Sequence, residues 1–289
     1  MALSVITARL NGLSSDEAVL NGALSLSKAF GGHIDALFAR PDPRLAAATM
    51  DEGIYPDLYE EMISVMEQQW TEVANKALKH FEKWRSTNQV RLLSAPDGRD
   101  EPSAEWRDAI GTETETIGRK GRVSDLVVTA MSSRRMDPRY QLTFEAAVLE
   151  TGRPVLLVPT TNHTDPTQGK VVVAWNGSPE AFRAVTAAMP ILVKASEVIV
   201  FTSSEGNIEA SMADDLVTYL KWHGAKASVL KSDGKSNSVE DALLAAVRKA
   251  RASLLVMGAY THSRFRELLF GGVTRHVFKH ATTPVLMAH

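Results

Sequence analysis

Gly258, Thr261, Gly271 and Gly272 are the residues whose types and spacing come nearest to a chemical device. They lie between a short apolar run, Leu254 to Met257, and a segment of helical spacing, Val273 to His280. A strand, a glycine-marked loop and a helix N-terminus together present backbone N–H groups and a positive dipole end to an anion, often a phosphate. His262, Arg264 and Arg266 make the loop basic. They either offer charge to phosphates or form a solvated loop face. A second stretch, Trp175-Asn176-Gly177-Ser178-Pro179-Glu180, ends a strand and starts a helix. Ser178 suits the N-cap, Pro179 the first turn, and Glu180 the positive end of the dipole.

Other candidates are weaker. His276 and His280 stand at i, i+4, but no third ligand follows at suggestive spacing. Their plainer role is to complement a helix C-terminus. Ser132-Ser133, Thr160-Thr161 and Ser203-Ser204 lie in no nucleophile elbow and near no evident triad, so nucleophilic catalysis has no support and the chain reads as a non-enzyme.

The elements that must position these residues follow from periodicity. Residues 3–8 suit a first strand. Ser14 and Glu17 form a capping box for a helix with Val19, Ala23, Leu26 and Phe30 on one face. Residues 33–39 suit a second strand. Met66, Trp70, Val73, Ala77, Phe81 and Trp84 step by three and four, a core-facing stripe on a long helix. Strands at 90–93, 125–129 and 154–158 complete the first half, with 104–121 read as helix and a further helix over 142–151. Residues 159–169, PTTNHTDPTQG, are rich in Thr and Pro and read as a linker. Strands then recur at 170–174, 197–202, 226–231, 254–257 and 285–287. Helices start at Ser178, lie over 207–223, and start at Ser238, where Asp241 completes the cap. Phe182, Val185, Met189 and Leu192 form the core face of the first of these.

Composition agrees with a globular α/β chain: 44% hydrophobic and 23% charged residues in 289. A net charge of −2 gives no reason to expect nucleic acid or an anionic membrane as partner. The absence of cysteine excludes disulfides, thiol nucleophiles and thiolate metal sites. No basic segment followed by an apolar core opens the chain, and no apolar run approaches about 20 residues, so a cytoplasmic protein is expected.

The two halves repeat one another. DLVVTA…TGRPVLLVP in the first answers SLLVMGA…ATTPVLMAH in the second. Alternating strands and helices imply mostly parallel sheets covered on both faces. Ligands in such folds sit beyond the carboxyl ends of the strands, near a switch in strand order. We read two domains, 1–159 and 170–289, with a linker at 160–169.

VVVAWNGSPEA, VMGA and LLFGGVTRHVFKHATTPVLMA resemble the universal stress protein family, in its tandem two-domain form. The resemblance implies two doubly wound units of the adenine nucleotide alpha hydrolase-like type, strand order 3-2-1-4-5. It also implies that the last strands of the two units, 154–158 and 284–288, meet as an intrachain pseudo-dimer. Nucleotide-binding members carry Gly-x-x-Gly, nine residues, then Gly-Ser or Gly-Thr. Here Gly258 matches the first glycine and Gly271 the third, nine residues (262–270) preceding it. Thr261 replaces the second glycine, Gly272 stands at the hydroxyl position with Thr274 two residues on, and Asn176 stands where an aspartate is usual. In the first half Thr129 replaces the first glycine and its phosphate cradle is lost.

Carried onto this sequence, the resemblance places a site for ATP or a related adenine nucleotide, with Mg, in the second half. Its residues are Ala174, Asn176, Gly177, Ser178, Met257, Gly258, Thr261, His262, Arg264, Gly271, Gly272, Val273 and Thr274. A stress-response or signalling role and a homodimer of tandem chains are expected. An interaction module with degenerate sites stays open as a second reading. A weak ATPase would need a general base near the loop, and the sequence supplies none.

Overall fold

The computed structural model describes residues 3–47, 56–131, 138–161, 164–203, 210–232, 238–259 and 272–289. The first half runs β1 (Val5–Leu10), α1 (Asp16–Phe30), β2 (His33–Arg40), α2 (Pro43–Ala47), α3 (Pro56–Thr87), β3 (Arg91–Leu92), β4 (Ser103–Ile110), α4 (Glu113–Gly121), β5 (Leu126–Ala130), α5 (Pro138–Glu150) and β6 (Val155–Val158). The second runs β7 (Lys170–Ala174), α6 (Pro179–Lys194), β8 (Glu197–Thr202), α7 (Ala210–Trp222), β9 (Ala227–Lys231), α8 (Val239–Ala250), β10 (Leu254–Gly258), α9 (Gly272–His280) and β11 (Val285–Ala288).

The eleven strands of the described residues form one sheet, ordered β3-β4-β2-β1-β5-β6-β11-β10-β7-β8-β9. Every pairing is parallel except β6 with β11, which run antiparallel with Leu286 opposite Leu156. The last strands of the two halves thus join a pseudo-symmetric pair inside one chain, as the resemblance implied. The second half has the order 3-2-1-4-5. The first half has the same order, with β4 in third place and β3 added at the edge.

Parallel sheets need cover on both faces because their strands are apolar throughout. One core lies under α1, α3, α6 and α7, the other under α4, α5, α8 and α9. Each spans the seam between halves. Phe144 of α5 stacks on Phe278 of α9, ring centroids 5.2 Å apart. On the opposite face Lys194, at the end of α6, donates to the Ala29 carbonyl at 2.7 Å and lies 4.4 Å from the centre of the Phe30 ring. It therefore meets the negative end of α1.

Local signals largely hold. Ser178 and Ser238 cap α6 and α8, their hydroxyls accepting from Ala181 and Asp241 N–H groups at 3.2 and 3.1 Å. Ala77, Phe81 and Trp84 of the long helix are buried core residues. Four expectations change. Residues 103–110 form a strand, not helix, which begins only at Glu113. The first helix begins at Asp16, and its N-cap Ser15 makes no side-chain cap bond, so Ser14 and Glu17 are not a capping box. Phe182 is 40% exposed and packs against Tyr219 with the two rings tilted by 60°, instead of facing the core. The strand register pairs Leu126 with Ile6 and Leu254 with Val171, which makes Ala130, not Thr129, the counterpart of Gly258.

Candidate functional site

In the second half the strand order switches between β7 and β10, and a ligand site belongs beyond their carboxyl ends. Ala174 and Met257 are register partners there, the last residue of β7 beside the penultimate residue of β10. Met257 is buried and Ala174 half-buried. Beyond Ala174 the chain turns sharply. Asn176 is exposed, and its side-chain oxygen accepts the Ser178 N–H at 3.1 Å, which leaves the amide N–H groups to donate elsewhere. Gly177 has φ 71° and faces Met212 of α7, whose Cε would lie 2.7 Å from an added Cβ. Only glycine satisfies both conditions.

Gly258 is glycine for a different reason. A Cβ there would lie 2.6 Å from the Ala181 nitrogen and 2.9 Å from the Glu180 carbonyl carbon. The first turn of α6 therefore rests directly on the end of β10, a distance that no side chain at position 258 permits. The close approach sets the helix N-terminus at the switch point. Glu180 in that turn is mostly buried and pairs with Arg183 at 3.3 Å.

Gly272, Val273 and Thr274 open α9. Gly272 lies against α8, with Glu240 Oε1 3.1 Å from where its Cβ would stand. Val273 packs partly into the core, and Thr274 is buried. Thr261, His262, Arg264 and Gly271, with Arg266, lie outside the described residues. Ala174, Asn176, Gly177, Ser178, Met257 and Gly258 are brought together around the switch point. His276 meets Asp241 of α8 at 3.2 Å, and His280 Nδ1 meets the His276 carbonyl at 2.9 Å, so both are engaged within their own surroundings.

The first half shows what happens when the same cleft is filled from within. Its Asn11-Gly12 repeats the Asn176-Gly177 turn, with Asn11 accepting from Leu13 N–H at 3.0 Å and Gly12 at φ 76°. Arg9 holds the position that the register equates with Ala174. It is buried, makes a two-point ion pair with Glu113 at the start of α4 (Nε–Oε1 2.7 Å), and lies 5.7 Å from the centre of the Phe38 ring. Thr143 of α5 donates to the same carboxylate at 2.7 Å. Asp16, fully buried at the start of α1, accepts from the Asn11 and Gly12 N–H groups at 2.8 and 2.9 Å and meets His80 of α3 at 3.1 Å. Burial pushes its carboxyl above the ordinary value, and the hydrogen bonds from Asn11, His80 and Gly12 offset this only in part. The chain's own carboxylate thus takes the loop N–H groups and the helix N-terminus that an anion would need.

Sequence reasoning missed Arg9, Glu113 and Asp16. An arginine inside the otherwise apolar strand VITARL was the available signal, since a buried charge requires a partner.

No curated protein matches the chain. A family model described as the universal stress protein family matches residues 168–289. Among solved structures, a universal stress protein from Archaeoglobus fulgidus is 17% identical with a TM-score of 0.68, over 99% of this chain and 96% of that one. A Pseudomonas aeruginosa protein described as functionally unknown is 14% identical with a TM-score of 0.58, over 99% and 92%. A putative universal stress protein from Pseudomonas aeruginosa is 14% identical with a TM-score of 0.57, over 99% and 93%. At these identities the likeness is one of fold, and it extends to both halves. Residues 168–289 thus form a universal stress protein domain, and the first half shares the fold of that family's solved members.

Proposed function

We propose that the second half binds an adenine nucleotide, ATP with Mg or a close relative, and that the protein acts as a nucleotide-responsive universal stress protein. The supporting observation is the contact between Gly258 and Ala181, which seats the N-terminus of α6 at the switch between β7 and β10. A phosphate group there meets the positive end of a 16-residue helix. Ala174 leaves room beside it, while Asn176 offers amide donors to the nucleoside. The Mg ion would ride on the phosphates, since no acidic side chain described around the turn is free of a partner: Glu180 is held by Arg183. The first half does not bind nucleotide, because Arg9, Glu113 and Asp16 occupy its cleft. It serves as the partner that covers β11 through β6.

The substitution Ala174→Arg tests this by placing in the second half the residue that stands at the equivalent point of the first. Saturating Mg-ATP, at about 100 times its Kd, is expected to stabilise the wild-type chain by about 2.7 kcal/mol. The variant should fold but show no such thermal shift. A wild-type chain that Mg-ATP leaves unshifted, or an equal shift in the variant, overturns the reading.

A further inference from the structure

Away from the cleft, strands β2 and β4 place a second constellation on one face of the sheet. Side chains two residues apart on a strand share a face. His33 and Asp35 of β2 therefore stand beside Ser103 and Glu105 of β4, their parallel register partners, with Arg107 next in line. The ligand atoms of His33, Asp35 and Glu105 all lie within 4.8 Å of one another, and all three residues are half-buried. We propose that His33, Asp35 and Glu105 form a binding site for a divalent metal ion of the zinc type.

One imidazole nitrogen and two carboxylate oxygens are a borderline donor set, suited to zinc and its neighbours better than to magnesium or calcium. The spacing agrees. Two donors about 2.0–2.1 Å from a tetrahedral ion stand about 3.3 Å apart. His33 Nε2 and Asp35 Oδ1 are 3.4 Å apart, long for a charge-assisted hydrogen bond but close to that edge. The ring is held by its other nitrogen, Nδ1, at 2.9 Å from Ser103 Oγ, in the manner of the outer partners that orient metal-bound histidines.

Glu105 is the third ligand. Its Oε2 is buried and accepts no hydrogen bond. Arg107 Nη2 approaches it to 2.8 Å, but without hydrogen-bond alignment. The Arg107 guanidinium is thus the cation beside this oxygen. Arg107, which also donates from Nε to Asp35 Oδ1 at 2.9 Å, is the counter-charge that an ion would displace. Its side chain is 39% exposed and can turn outward. An ion bound there would compete with the arginine for the same two carboxylates.

The test titrates Zn2+ by calorimetry, and Co2+ by its visible absorption, into the metal-free full chain. One ion per chain with a tetrahedral Co2+ spectrum is expected. Affinity should fall by roughly tenfold or more in Glu105→Gln and in His33→Gln. It should rise in Arg107→Gln and stay unchanged in the His276→Gln/His280→Gln double variant. Near-UV circular dichroism identifies variants that fold, and loss of binding in either ligand variant that folds suffices. No binding by the wild-type chain overturns the proposal. So does unchanged affinity in the ligand variants, a weaker Arg107→Gln, or binding that disappears with His276 and His280.

Discussion

Replacing Gly258 by alanine probes the contact on which the second-half cleft depends. The added Cβ would meet the Ala181 nitrogen at 2.6 Å, the Glu180 carbonyl carbon at 2.9 Å and the Glu180 Cβ at 3.0 Å. Two of these are main-chain atoms of a helix whose next residues, Ala181, Ala184 and Val185, are buried in the core. Relief requires the whole first turn of α6 to move outward. Overpacking of this kind costs about 1–3 kcal/mol. The lower chain entropy of alanine in the unfolded state returns about 0.4–1 kcal/mol. A net loss of about 1–2 kcal/mol is expected, read as a lower midpoint with unchanged slope in urea unfolding monitored by circular dichroism. Gly272→Ala is the internal control. Among the described residues its Cβ meets Glu240 Oε1, the far end of a flexible side chain, at 3.1 Å, in the first turn of a helix that favours alanine. That variant should lie within about 0.5 kcal/mol of wild type or above it. If Gly258→Ala were as stable as the wild-type chain, or Gly272→Ala the more damaged of the two, the close approach of α6 to β10 would not be the reason for glycine at 258.

Two further outcomes follow from the first half. Glu113→Gln leaves the Arg9 guanidinium buried without a counter-charge and should cost about 3–5 kcal/mol in chemical denaturation, whereas the double variant Arg9→Met/Glu113→Leu should recover most of the loss; equal losses in single and double variants would refute the pairing. Asp16 titrates above the ordinary carboxylate value of 3.8, so the folded state holds its proton more tightly than the unfolded state does. Its stabilising contribution is complete below 3.8 and is lost as pH rises through the raised folded value. The stability of Asp16→Asn relative to wild type should therefore improve as pH increases across that window, and a difference that is flat or falls with pH in urea unfolding would contradict the assignment.

What the sequence disclosed divides by the range of the interactions involved. The caps at Ser178 and Ser238 were legible because the hydroxyl and its N–H partner are three residues apart. The central strands β7, β10 and β11 were legible because both faces are apolar, giving runs such as VVVA and LLVM. Residues 103–110 were not, because this strand lies near the sheet edge and fills one partly open face with Glu105 and Arg107. The alternation of Ala104 and Trp106 against those charges was the overlooked strand signal. The motif glycines were legible as glycines, but not their reasons. Gly258 answers to a helix 77 residues earlier, at Ala181, and Gly177 to Met212. The filling of the first cleft was hidden for the same cause: Arg9 and Glu113 are 104 residues apart, and nothing local to either announces the other.

The asymmetry between the halves is the central claim, and the stoichiometry of nucleotide binding tests it most directly. Calorimetric titration of the full chain with Mg-ATP should give one nucleotide per chain, and the count should be unchanged in Glu113→Gln at a temperature where that variant is folded. A chain that takes up no nucleotide, or one that takes up two, would contradict the account.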